Sequence, residues 1–156
     1  MLHLFQKILV PLDGSDHSLR ALEEAAQIAK FFSGKLTLIN VYSVQPILMP
    51  VQSAPSYTGG PIFTGSEVSR LIEAAKKSGN KILEDGEQRI SPTGVQVEKL
   101  LVEGHAVEKI VRVANESNFD LVVIGARGIS HIREMLLGSV TDGVMHHVHC
   151  AVLVIK

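Results

Sequence analysis

The 156-residue chain has no tryptophan, a single cysteine, and only 4% aromatic residues. One thiol excludes an internal disulfide framework, and Cys150, just ahead of the last apolar run, reads as a small buried hydrophobe. Neither sign of charge is in excess: 15 Lys and Arg stand against 16 Asp and Glu, for a formal net charge of −1. The basic side chains are dispersed rather than striped, so no field for nucleic acid arises. No apolar run approaches the roughly 20 residues of a bilayer span, and Met1 to Lys7 leads straight into a strand pattern without the signature of a signal peptide. These absences point to a cytoplasmic protein that engages neither nucleic acid nor a membrane. A Walker lysine is missing too: Gly34-Lys35 has no glycine five positions before Gly34, and Leu36 replaces the Ser or Thr that should follow.

What is present is a chain that is 46% hydrophobic and long enough for one compact domain over residues 1–156. Strand and helix patterns alternate along it. Ile8-Leu9-Val10 is an apolar strand, and Leu19, Leu22, Ala25, Ala26, Ala29 and Phe32 then recur at helical spacing until Gly34 closes that helix. Leu36 to Val41 is the second strand. Residues 43–66 break the rhythm with Pro46, Pro50, Pro55 and Pro61, three glycines and no charge, which reads as a long, flexible or functional loop. A helix follows on Val68, Leu71, Ile72 and Ala75, continuing through Ile82 and Leu83 despite Gly79 and Gly86, each costing about 1 kcal/mol relative to Ala. Val95 to Val102 reads as an edge strand with one face partly wet, Val107, Ile110, Val111 and Ala114 as a helix, Leu121 to Ile124 as a buried strand, and Ala151 to Ile155 as the last strand. Right-handed crossovers make this an α/β, three-layer, Rossmann-like fold with a five-stranded doubly wound parallel sheet, and analogy with such folds, rather than periodicity, supplies the order 3-2-1-4-5. The order sets strands one and four side by side and brings Asp13 next to Gly125.

Two motifs meet at that point. The first is Gly125-Ala126-Arg127-Gly128, then nine residues, then Gly138-Ser139, leaving a buried strand and opening onto a helix that runs to about His147. Gly125 and Gly128 permit positive φ and close backbone approach, so their N–H groups can face a ligand. The first four N–H groups of the helix, near Gly138, Ser139, Val140 and Thr141, lack intrahelical partners, and the macrodipole favours an anion there. Ser139 and Thr141 offer hydroxyl donors. Arg127 and His131 are open between adding positive charge and being solvated loop residues.

The second motif is Ile8 to Ser15. Pro11 has no N–H and turns the chain out of the sheet, which puts Asp13 at a strand's carboxyl end, where open parallel sheets bind ligands. Its carboxylate suits ribose hydroxyls or a divalent ion beside phosphates, and equally a turn or a helix cap; Ser15 or Asp16 could cap the next helix as well. His146, His147 and His149 suit the negative end of their helix better than a shared metal ion.

The chain resembles the universal stress protein family, in its ATP-binding branch, through Lys7 to Ser15, through the G-x2-G-x9-G-[ST] pattern of Gly125, Gly128, Gly138 and Ser139, and through Cys150 to Ile155. The resemblance covers essentially the whole chain. It implies ATP, AMP or another adenine nucleotide, with magnesium held on the phosphates near Asp13. Pro11, Leu12 and Asp13 would lie along the nucleoside, with Asp13 near the ribose. The backbone around Val41 would read the adenine edge, and residues 125 to 141 would surround the phosphates. Two positions depart from the family pattern: Asn40 where many relatives have His, and Ala151 where they commonly have Pro. The implied role is a homodimeric, nucleotide-dependent switch in stress response, the ligand ordering residues 43–66 or 126–137. The dimer would pair the exposed edge from Ala151 to Ile155, whose apolar character invites such pairing. Other readings are a nucleotide-independent dimerisation or chaperone-like module and a slow ATP hydrolase. The missing Walker lysine, and a lone candidate base in Asp13, favour binding over turnover.

Overall fold

The computed structural model of the protein describes residues 4–44, 64–129 and 137–156. Their elements are β1 (Lys7–Pro11), α1 (Asp16–Phe32), β2 (Lys35–Tyr42), α2 (Gly65–Ile90), β3 (Val97–Glu103), α3 (Ala106–Glu116), β4 (Leu121–Gly125), α4 (Ser139–His147) and β5 (Ala151–Ile155), with a 3-10 turn over Ser91–Thr93. All pairings are parallel, and the sheet order is β3-β2-β1-β4-β5, the order expected from the sequence.

Alternation along β1 explains the three layers. Ile8, Val10 and Leu12 point to one face, where they meet the alanines of α1 together with Leu83 and Ile90 of α2. Leu9 points to the other, against Ile110 and Ala114 of α3 and Val144 of α4. A strand covered on both faces has no polar position to spare, so its sequence is continuously apolar. At the sheet edge the constraint relaxes: no residue of β3 is fully buried.

Helix α1 begins at Ser15, whose Oγ accepts from Ser18 N–H (3.2 Å). Its close is not the expected one. Ser33, not Gly34, takes the left-handed conformation (φ 55°), while Gly34 is required because a Cβ there would collide with the Phe5 carbonyl. Helix α2 starts earlier than its apolar stripe predicts. Thr64 and Glu67 form a reciprocal capping box, Thr64 N–H donating to Glu67 Oε2 (2.7 Å) and Glu67 N–H to Thr64 Oγ1 (3.4 Å). Gly65 and Ser66 therefore belong to the helix, which corrects the end of the 43–66 loop; residues 45–63 lie outside the described residues.

The two glycines inside α2 are explained by close approach. A Cβ on Gly79 would lie 2.5 Å from Leu101 Cδ1 and 2.6 Å from Asn40 Oδ1, and one on Gly86 would lie 2.8 Å from Leu12 Cδ1. They cost helix propensity and let α2 seat directly on the sheet.

Candidate functional site

At the carboxyl ends of β1 and β4 the chain leaves the sheet toward opposite faces, and a cleft of about 160 Å³ opens between the two departures. Among the described residues, every sequence-predicted site position except Ala126 lines it. His131 lies outside the described residues. Sequence reasoning missed Ser18, Ile39, Ala106, Ile110 and Ile124, the last four giving the cleft an aliphatic floor with Val41; Asn40, marked only as a departure from the family pattern, and Ile129, named only within the span 125 to 141, line it too.

The β1 side is built on a strand that ends by losing a donor. Pro11 has no N–H, yet the ladder survives one residue further: Leu12 N–H donates to Ile39 O (2.8 Å). Asp13 then stands clear of the sheet. Its Oδ1 accepts from Ser15 N–H (2.9 Å) and Ser15 Oγ–H (2.5 Å), and its Oδ2 accepts from Ile129 N–H (3.1 Å). The turn reading of Asp13 is therefore realised, its carboxylate holding Ser15, the N-cap of α1, and the same residue lines the cleft. The contact across the cleft falls at Gly128 and Ile129 rather than at Gly125: a Cβ on Gly128 would lie 2.5 Å from Asp13 Oδ2.

The β4 side shows why glycine is needed, and the reason differs from the one expected. Neither Gly125 nor Gly128 has positive φ. Gly125 is glycine because α1 passes over it, a Cβ there falling 2.7 Å from the His17 carbonyl carbon; Gly128 is glycine because Asp13 does. Ala126 does not face the cleft. It is 2% exposed, its N–H donates to Ile155 O (2.7 Å), and its carbonyl accepts from Gly138 N–H (2.7 Å). Ala126 is thus the clamp that ties the loop to β5 and to the start of α4.

That clamp alters the donor count at the helix. Gly138 N–H is committed to Ala126, and Thr141 Oγ–H is committed to Gly125 O (2.7 Å, buried), so neither is available to a ligand. Gly138, the N-cap, has no side-chain capping bond, so among the described residues the N–H groups of Ser139, Val140 and Thr141 remain the orphan donors of α4. With Gly128 N–H and half-buried Arg127 opposite, the amide-rich half of the cleft is electropositive without a lysine. Among the described residues lining the cleft, Asp13 is the only carboxylate.

The features outside the cleft are plain. His146 Nδ1 and His147 Nδ1 bond the carbonyls of Asp142 and Gly143 one turn back, and no group of three or more His, Cys, Asp or Glu among the described residues could hold a metal ion. Cys150 is half-buried, and burial pushes its thiol pKa up. No described helix is long and apolar enough to cross a membrane.

The family model described as the universal stress protein family matches residues 4–156. The universal stress protein YxiE of Bacillus subtilis (strain 168) is 34% identical over 98% of this chain and 100% of its own length. Among solved structures, universal stress protein UspA from Lactobacillus plantarum superposes with a TM-score of 0.79 at 25% identity, covering 98% of this chain and 99% of that one. A universal stress protein solved in complex with cAMP superposes with a TM-score of 0.67 at 29% identity, covering 98% of each chain.

Proposed function

Since the chain belongs to the universal stress protein family, we propose that it acts, as a single domain, by binding an adenine nucleotide in the cleft between β1 and β4. One observation carries this reading: among the described residues, the cleft is divided between an aliphatic floor and a rim of unpaired main-chain amides, with one carboxylate between them. A purine suits the floor formed by Ile39, Val41, Ile110 and Ile124, ribose hydroxyls can donate to Asp13, and phosphates suit the amides of Gly128, Ser139 and Val140. The complex of a relative with cAMP supports the adenine-nucleotide class. ATP is the proposed ligand because the amide rim continues past Gly128 to the start of α4, giving a chain of phosphates successive donors.

Magnesium fits this site only as a companion of the phosphates. Asp13 already accepts three hydrogen bonds from Ser15 and Ile129, so an ion that prefers six oxygens would take most of them from phosphate and water. Its chemistry would be neutralisation of phosphate charge. Three of the roughly four acceptor sites of the Asp13 carboxylate are used, which leaves room for a ribose hydroxyl, and a base so engaged is poorly placed to activate water, which favours binding over hydrolysis.

The proposed output is a change of surface on binding, read by a partner in stress response, within a homodimer. Strand β5 supports the dimer: it pairs with β4 along one edge, its other edge ends the sheet, and Leu153 is 37% exposed. Leu153→Lys should shift sedimentation toward the monomer without loss of the fold; an unchanged profile would count against this edge. For the ligand, mass spectrometry of the small molecules that co-purify with the protein, followed by calorimetric titration with MgATP, tests the reading. An adenine nucleotide and saturable binding are expected, and no heat at millimolar nucleotide would refute it.

A further inference from the structure

Three residues of α2, which contribute nothing to the cleft lining, sit under the segment that carries Asp13. Gly79 lies against Asn40, where an added Cβ would be 2.6 Å from Oδ1. Gly86, two helical turns further along the same face, lies against Leu12, where an added Cβ would be 2.8 Å from Cδ1. Ile82 lies between them on the chain and packs at Gly14, which takes a left-handed φ of 83°. Asn40 and Leu12 are themselves joined: Asn40 Nδ2 donates to Leu12 O at 2.7 Å, and both residues are buried, at 7% and 3% exposure.

That bond matters because of its place in the chain. Pro11 brings no N–H to the ladder, so the end of β1 is held by few donors. The Leu12 peptide is fixed twice, by Leu12 N–H to Ile39 O (2.8 Å) and by Asn40 to Leu12 O. The Leu12 carbonyl belongs to the planar peptide unit that includes Asp13 N. Fixing that plane fixes the direction in which Asp13 leaves the sheet. A side chain without a donor at position 40 would leave a buried carbonyl unpaired and the plane free to turn.

We infer that Asn40 is a positioning residue of the nucleotide cleft: it orients Asp13 through the Leu12 carbonyl, and the seating of α2 at Gly79 and Gly86 holds that pair in place. The inference rests on the reading of the cleft as a nucleotide site. It also gives α2 a part in binding. Within α2 the buried residues are Gly79, Leu83, Gly86 and Ile90, so its first half adds no anchor and the helix is located by this seat.

The test uses a readout on the free protein and one on the ligand. Ser15 N–H donates to Asp13 Oδ1 (2.9 Å), so the Ser15 amide resonance reports the orientation of Asp13 before any nucleotide is added. In Asn40→Leu, which keeps the branching of the side chain but has no donor, that resonance should move, and the dissociation constant for MgATP should rise about tenfold, the factor expected for one lost buried hydrogen bond. Gly79→Ala keeps the Asn40 donor and displaces it by contact; it should give the same two effects, and it serves alone if Asn40→Leu does not fold. Ile90→Val, a core truncation at the far end of α2, should move neither. An unmoved Ser15 amide in Asn40→Leu, or in Gly79→Ala when that variant stands alone, overturns the role of Asn40. An effect of Asn40→Leu without one of Gly79→Ala overturns the part given to α2. If the wild-type protein takes up no nucleotide, the binding reading fails, while the Ser15 resonance still decides whether Asn40 orients Asp13.

Discussion

Two glycines three residues apart should fail in different ways when each is changed to alanine. In Gly125→Ala the new Cβ would meet the His17 carbonyl carbon at 2.7 Å and its oxygen at 2.9 Å. These are backbone atoms of α1, which cannot rotate away, so helix and strand must separate by roughly half an ångström along a packed interface. Overpacking of that kind costs about 1–3 kcal/mol, and for a chain of this size each kcal/mol lowers Tm by about 2–4 °C. In Gly128→Ala the new Cβ would meet one atom, Asp13 Oδ2 at 2.5 Å, the next nearest being Asp13 Cγ at 3.8 Å. The carboxylate can move only by weakening its bonds to Ser15 or by releasing Ile129 N–H, and the loop there is partly exposed. The fold should lose less than about 1 kcal/mol, but the cleft loses the arrangement of the Asp13 carboxylate. Calorimetric melting without ligand and titration with MgATP separate the two. Gly125→Ala should lower Tm by several degrees; Gly128→Ala should melt near the wild type and bind ATP about tenfold or more weakly. A Gly128→Ala protein with wild-type affinity would refute the account of that contact.

Thr141→Val removes the buried hydroxyl that donates to Gly125 O, at nearly constant volume; chemical denaturation should report a loss of about 1–3 kcal/mol, with Thr141→Ser losing less. The Glu67 carboxyl, held below its ordinary value of 4.5 by hydrogen bonds from Thr64 N–H and then Thr64 Oγ–H, stabilises the start of α2 at pH above that value. The stabilisation is lost as pH falls through the depressed value, so the protection of the Glu67 and Val68 amides, corrected for the intrinsic pH dependence of exchange, should fall on acidification, and Glu67→Gln should flatten that dependence. Cys150, whose thiol is pushed up by burial, should react with iodoacetamide at pH 8 more slowly than free cysteine and at the free rate after unfolding.

The sequence carries most of the architecture because each element has a local cause that repeats along the chain. β1 and β4 read as central strands since both faces of each are covered, and β3 as an edge since its alternation reports one wet face. The cleft was legible as the meeting point of Asp13 and the glycine loop, because ligand sites of open sheets lie where strand order reverses. What was not legible depends on contacts between distant residues. Nothing local marks Ala126 as the residue that turns inward to join Ile155, or Thr141 as one whose hydroxyl proton is already used. Ser33 took the left-handed turn beside a glycine that seemed made for it. Asn40 stood out only as a departure, and its task emerges with the Leu12 carbonyl beside it. The start of α2 is different: Thr64-x-x-Glu67 is a capping box visible in the sequence, passed over because the apolar stripe begins later.

The central claim is that main-chain amides of the glycine loop and of α4 grip the phosphates of a nucleotide. Amide NMR titrations with adenosine, AMP and ATP test it most directly. The account predicts that affinity rises with each added phosphate and that the Gly128, Ser139 and Val140 amides move with ATP far more than with adenosine. Equal affinity for all three ligands, or shifts confined to residues outside the cleft, would contradict it.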